Sequence, residues 1–188
     1  FPIFDQLSNL KAPLSSWHKQ YFQQFNALNI TDEYNLCKQF LLAYKGSEDT
    51  FKSYRREVER LCQWSWLIRK SNIRDLDRNA LAEYFDFVQR PCPEWIATQH
   101  AQRYTVSEDG SRVPSEEWRP FLIRSKDKKY RFSQSSLRAC MASVSTFFTY
   151  LVQESYVQHN PVSNIRQKSQ FLQKVQTQRV TRKLSDQQ

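Results

Sequence analysis

Only two glycines, Gly46 and Gly110, stand in 188 residues. Tight turns and bulges draw on glycine because it alone takes left-handed backbone without steric cost. A chain this poor in glycine has few hairpins open to it, so a mainly all-α fold is expected. Hydrophobic residues make up 39% and aromatics 14% of the chain, enough to build a core and to exclude a disordered composition.

Apolar side chains recur at helical spacing in five places. Trp17, Tyr21, Phe25 and Leu28 share one face of a helix expected over 15–28. A second helix is expected over 31–46, capped by Thr31 or Asp32 and ended by Gly46, with Tyr34, Cys37, Phe40, Leu41 and Tyr44 inward. The third, over 48–69, carries Phe51, Tyr54, Val58, Leu61, Trp64 and Ile68 on its apolar stripe. Lys52, Arg55, Arg56 and Arg60 lie beside or opposite that stripe. Asp77 caps a fourth helix over 75–91, which buries Leu81, Tyr84, Phe85 and Val88 and is stopped by Pro91. The fifth, over 133–155, turns Leu137, Cys140 or Met141, Val144, Phe147, Phe148 and Leu151 inward.

The remainder reads as irregular. Residues 1–12 look like a loose leader. Residues 91–130 hold Pro91, Pro93, Pro114 and Pro120 and read as an insertion, in which "SEDGS" can turn a hairpin between "QRYTV" and "SRVPSEEWRPFLI". Trp95, Trp118 and Phe121 are its expected anchors. The expected organisation is an N-terminal helical extension (1–30), a helical domain (31–163) interrupted by the insertion, and a basic linker (164–188).

The net charge of +9 points to an anionic partner, nucleic acid ahead of an anionic membrane surface. No apolar run approaches the roughly 18 residues of a membrane span. The four cysteines, Cys37, Cys62, Cys92 and Cys140, form no C-x-x-C, so neither a zinc site nor a disulfide framework is suggested. No metal and no cofactor are expected. "HAQR" (100–103), followed by Tyr104, spells an H-x-x-R-Tyr string that reads as coincidence, and His18 and His159 have no partners suggesting a triad. The chain opens on Phe1 and is expected to be a piece of a longer protein.

One order of elements carries a resemblance. A helix with Thr50, Tyr54, Arg55, Arg56 and Trp64 is followed by Asp75-Leu76. Next come a serine-rich helix from Ser136 to Leu151 ending in "FFTYL", then Asn160-Pro161 and a basic linker ending in "RKLSDQQ". Over roughly 31–90 and 131–188 this resembles the N-terminal core-binding domain of tyrosine recombinases, the phage integrase family. The resemblance implies a SAM-like bundle of four to five helices that clamps one side of duplex DNA. Strand exchange would belong to a catalytic domain outside this chain, with four protomers assembled on two sites in the bacterial cytoplasm, near the nucleoid. No catalytic residue is then expected here.

The resemblance assigns DNA contact to Thr50, Lys52, Tyr54, Arg55 and Arg56 on one helix, although Tyr54 also lies on the apolar stripe and reads as core. On the other helix it assigns Arg131, Ser133, Gln134, Ser136 and Arg138. The run "RSKDKKYRF", with Lys128 and Lys129, reads as a second phosphate-binding loop, and Lys168, Lys174 and Arg179 of the linker extend the basic track. The chemistry agrees in kind. Hydroxyls at a helix start bond phosphate, and guanidinium forks bind phosphate or guanine edges. Against it stands pairing of Arg55 and Arg56 with Glu59, and of Arg60 with Glu57, on a solvated helix face. Two other functions remain open: a stand-alone DNA-binding regulator, and a helical interaction module for an acidic protein.

Overall fold

A computed structural model describes residues 1–25, 27–124, 129–163 and 165. The fold is mainly helical. Among the described residues it contains α1 (Leu7–Leu10), α2 (Ser16–Gln23), α3 (Ile30–Ala43), α4 (Glu48–Gln63), α5 (Arg78–Gln89) and α6 (Gln134–Gln153). Four short strands, β1 (Ile96–Ala97), β2 (Tyr104–Val106), β3 (Arg112–Pro114) and β4 (Phe121–Leu122), lie between α5 and α6.

Helix α4 runs through the middle, packed along α6 on one side and α3 on another. Phe51, Val58 and Leu61 meet Cys37, Phe40, Leu41, Leu137, Cys140, Val144, Phe147 and Phe148 in one core. The expected stripe holds as far as Trp64 and then shifts. Trp64–Arg69 winds as a π-helix, whose i→i+5 turns advance the register. Trp64, Ser65 and Trp66 continue the unbroken buried run that begins at Glu57, while Ile68, expected inside, stands 44% exposed.

The caps follow local chemistry. Ser47, Asp77 and Ser133 accept the amides of Thr50, Ala80 and Ser136 at the starts of α4, α5 and α6. Helix α3 differs from expectation. It starts at Ile30, so Thr31 and Asp32 lie inside its first turn, and it ends at Ala43. Gly46 is not in the left-handed region, and the Tyr44 amide closes the helix instead. Helix α2 is shorter than the apolar pattern suggests.

Residues 1–12 are not a loose leader. Ile3 and Phe4 are fully buried, and Phe4 stacks on Tyr34 with ring centroids 5.2 Å apart. Their amides donate to Glu59 Oε1 at 2.6 and 3.1 Å. His18 of α2 pins the Ile3 carbonyl through Nε2 at 2.9 Å, while Ser15 Oγ reaches Nδ1 at 2.8 Å. Burial lowers the His18 pKa, and the neutral imidazole protonated at Nε2 satisfies both contacts.

On the far side, Glu33 of α3 is buried and accepts from Trp66 Nε1 (2.7 Å), the Ile73 amide (2.6 Å) and the Tyr156 hydroxyl (2.7 Å). This ties α3 to the π-turn and to the chain leaving α6. Asn160 Nδ2 donates to the Ser145 carbonyl at 2.9 Å, and its Oδ1 accepts the Val162 amide, so the Asn160-Pro161 turn locks against α6.

The insertion is ordered through its described residues. The hairpin forms as expected, with Tyr104 opposite Pro114 and Val106 opposite Arg112. Gly110 supplies φ 81° in its turn, where Asp109 accepts from Ser107 and Ser111. A parallel pairing of Ile96 with Phe121 and Ala97 with Leu122 closes the insertion on itself. Phe121 plugs it into the core, and Trp95 packs edge-on against Phe87.

Candidate nucleic-acid interface

Where the insertion folds back over α4, it leaves a cleft of about 740 Å³. Helix α4 supplies Lys52, Arg55, Arg56 and Arg60 to one wall. The insertion supplies Arg103, Arg119 and Arg124 to the other, and the approach to α6 adds Arg131 and Ser136. Eight lining residues are Lys or Arg, and Glu57 is the one acidic residue among them. Such a concentration of one sign in a concave site focuses the field on anions.

Glu57 does not neutralise the cleft at large. It is nearly fully buried and paired with Arg56 Nε at 2.6 Å and Arg60 Nη1 at 3.2 Å. Burial pushes its carboxyl up, but the two guanidinium groups more than offset this and hold it below the ordinary range. Arg60 is a structural cation. Its Nε and Nη2 donate to the Pro120 carbonyl at 2.9 and 2.8 Å, and its guanidinium lies 4.4 Å over the Phe121 ring. It rivets the insertion to α4.

Arg103 is held from behind. Its Nη2 donates to Glu59 Oε2 at 2.5 Å and to the Phe4 carbonyl at 3.1 Å, and its guanidinium stacks 4.6 Å over Trp118. Arg55 donates from Nη1 to the Asp5 carbonyl at 3.0 Å. Burial, and next the charge of Arg103, lower the Arg55 pKa, with Glu59 and Asp5 only partly opposing. The Nε atoms of Arg55 and Arg103 find no acceptor among the described residues.

The cleft thus unites Lys52, Arg55, Arg56, Arg131 and Ser136 from the expected contact set. Other members lie elsewhere. Thr50 belongs to the α4 cap, where its hydroxyl accepts from Ser47 Oγ at 2.8 Å. Ser133 is the α6 cap and bonds Ser135 and Ser136. Gln134, Arg138 and Lys129 sit outside the cleft and are engaged in interactions of their own. Tyr54 packs against Phe40 and Tyr44 as a core residue. Lys128, Lys168, Lys174 and Arg179 fall outside the described residues.

The solvated-face pairing holds only in part. Arg60 does meet Glu57, but both are buried, and Glu59 is turned inward to Arg103 and the N-terminal amides. Arg103, Arg119 and Arg124 escape a reading by helical pattern, because the parallel β1–β4 pairing and the Arg103–Glu59 bond bring them to α4 from a distant stretch of chain. Of the H-x-x-R-Tyr string, His100 and Arg103 line the cleft. The Tyr104 hydroxyl instead points to the Pro2 carbonyl at 3.3 Å in the interior, where burial raises its pKa. Among the described residues no group of three or more His, Cys, Asp or Glu converges, and no helix is long and apolar enough to cross a membrane. Cys37 and Cys62 face each other with Sγ atoms 3.4 Å apart, and all four cysteines are free. Comparison with protein-family models, curated proteins and solved structures returns no match to this chain.

Proposed function

We propose that this chain grips duplex DNA by its phosphates through the cleft between α4, the insertion and the start of α6. The observation that carries the reading is convergence. Lys52, Arg55, Arg56, Arg131 and Ser136, which come from two helical regions far apart in sequence, line one cationic recess. Guanidinium and ammonium groups bind phosphate with charge-assisted hydrogen bonds, and release of condensed counterions drives the association. A helical module of this kind positions DNA for chemistry done elsewhere.

Within that reading, the chain is the SAM-like core-binding part of a site-specific tyrosine recombinase. It clamps a recombination site while a following catalytic domain carries out strand exchange, with the protomers assembling on DNA. The support is the order of sequence elements, together with the packing of α4 along α6 so that both help to form one basic recess. On this reading the partner is double-stranded DNA and the place of action is the bacterial nucleoid.

Fluorescence anisotropy on a random duplex tests the grip. Affinity should fall steeply between about 50 and 200 mM salt, as expected for several phosphate contacts. Lys52→Ala/Arg56→Ala should weaken it and flatten the slope. Salt-independent binding, or none at the lowest salt, would remove the DNA reading in favour of an acidic protein partner. The recombinase reading needs a reading frame that continues past Gln188 into an Arg, an H-x-x-R pair and a Tyr. A stop soon after Gln188 would leave a stand-alone DNA-binding protein.

A further inference from the structure

The helices that carry the proposed grip form only one wall of the cleft. We propose that the insertion is a second phosphate-binding jaw, so that a phosphate-bearing strand seats between Arg55 and Arg56 of α4 and Arg103, Arg119 and Arg124 opposite. The proposal rests on the reading of the cleft as a phosphate site and adds the wall that the helical pattern leaves out.

Charge balance is the first argument. The carboxylate that lines the cleft, Glu57, is occupied by Arg56 and Arg60 on the α4 side. Glu59 meets Arg103 from behind, through Nη2 alone. The insertion wall therefore presents its cations to the recess with no carboxylate of the lining facing them.

Preorganisation is the second. Glu59, the Phe4 carbonyl and the Trp118 ring fix the Arg103 guanidinium, so little side-chain freedom is left to lose when an anion arrives. Arg55 and Arg103 repel each other, and each has an Nε–H without an acceptor among the described residues. Buried donors left without a partner mark a place where an ion or water completes the set. An anion between the two relieves the repulsion.

Size is the third. The recess, about 740 Å³, falls in the range of small-ligand sites, roughly 300–1,000 Å³. It has room for a short stretch of sugar-phosphate backbone carrying more than one phosphate, with the rest of the duplex lying outside. A free polyphosphate offers the same chemistry.

The test compares the full chain with Arg119→Ala/Arg124→Ala. Both side chains are exposed, and Arg119 Nη1 bonds only local carbonyls, of Glu116 and Trp118. The fold should survive, as a circular-dichroism melt would report, and Arg124→Ala alone serves as the milder variant. Each lost phosphate contact lowers the slope of log affinity against log salt by roughly 0.9 on duplex DNA, so the double variant should lose roughly 1.8 and the single about half of that. An unchanged slope in the double variant, with Lys52→Ala/Arg56→Ala still flattening it, overturns the second jaw and leaves the helical grip standing. Suppose instead that the wild type ignores duplex but binds inorganic tripolyphosphate, and that the double variant loses this binding. The jaw then stands and the DNA function falls. If the wild type binds neither duplex nor tripolyphosphate, both fall.

Discussion

Arg103 Nη2 reaches Glu59 Oε2 at 2.5 Å, joining the insertion to the central helix across 44 residues of sequence. The same carboxylate receives the amides of Ile3 and Phe4. A single buried side chain therefore organises three segments: the N-terminus, α4 and one wall of the cleft. Such a carboxylate is held by charge-assisted bonds, and removing one member leaves the other charge buried without its partner. Glu59→Ala is expected to destabilise the fold by about 3–5 kcal/mol, measured by denaturant unfolding. Amide exchange should quicken at Ile3 and Phe4 ahead of α5. Uniform loss along the chain, or a cost within about 0.5 kcal/mol, would show that Glu59 is not the common anchor.

Acid should weaken the attachment of the N-terminal segment. His18 is buried, donates to the Ile3 carbonyl and has a lowered pKa, chiefly from desolvation. The unfolded chain takes up a proton near its ordinary value of 6.5 while the folded chain resists. Stability is thus fully present above about 6.5 and declines as pH falls from there toward the lowered folded value. The melting temperature should drop over that window. In His18→Gln, whose amide can still donate to Ile3, the drop should shrink. Equal profiles for the two proteins would assign the acid sensitivity elsewhere.

Glu33 titrates in the opposite sense. Its burial raises the pKa even though Trp66, Tyr156 and the Ile73 amide donate to the charged form. The folded chain therefore holds the proton more readily than the unfolded one. The resulting stabilisation is complete below the ordinary value of about 4.5 and is lost as pH rises through the raised folded value. Tyr156→Phe removes one donor to the carboxylate. It is expected to destabilise by about 1.5–3 kcal/mol near neutral pH and by less in acid, followed by urea midpoint against pH. A loss independent of pH would mean that the hydroxyl serves packing rather than the charge.

The helical part of the fold is legible because its signals are local. The stripe of α6 from Leu137 to Leu151, the Asp77 cap and the inward face of α5 all follow from spacing and capping chemistry within a few residues. Ile68 is misread because the π-turn advances the register, and apolar spacing carries no warning of it. The burial of Ile3 and Phe4 is equally hidden, since it depends on Glu59, more than fifty residues away. The cleft is half legible for the same reason. Lys52, Arg55 and Arg56 stand out as a basic cluster on one helix. Arg119 and Arg124 reach the cleft through the β1–β4 pairing and the Phe121 plug, and Arg103 through its bond to Glu59, all of them long-range events.

The joint between insertion and α4 should govern both stability and grip. Arg60 donates twice to the Pro120 carbonyl, pairs with Glu57 and covers the Phe121 ring, and no lysine can reproduce that fork and stack. Arg60→Lys keeps the charge and is expected to destabilise by about 1–3 kcal/mol through lost bonds to buried acceptors. Phe121→Ala should cost about 3–5 kcal/mol by opening the core beneath the same joint. In Arg60→Lys, limited proteolysis should cut the 91–124 stretch before α4 or α6, since a loosened insertion exposes its backbone first. Duplex affinity should fall in step with that cleavage, although the total charge is unchanged. If affinity holds while the insertion is cut, the two walls of the cleft act independently, and the charge on α4 and at the approach to α6 sets the grip.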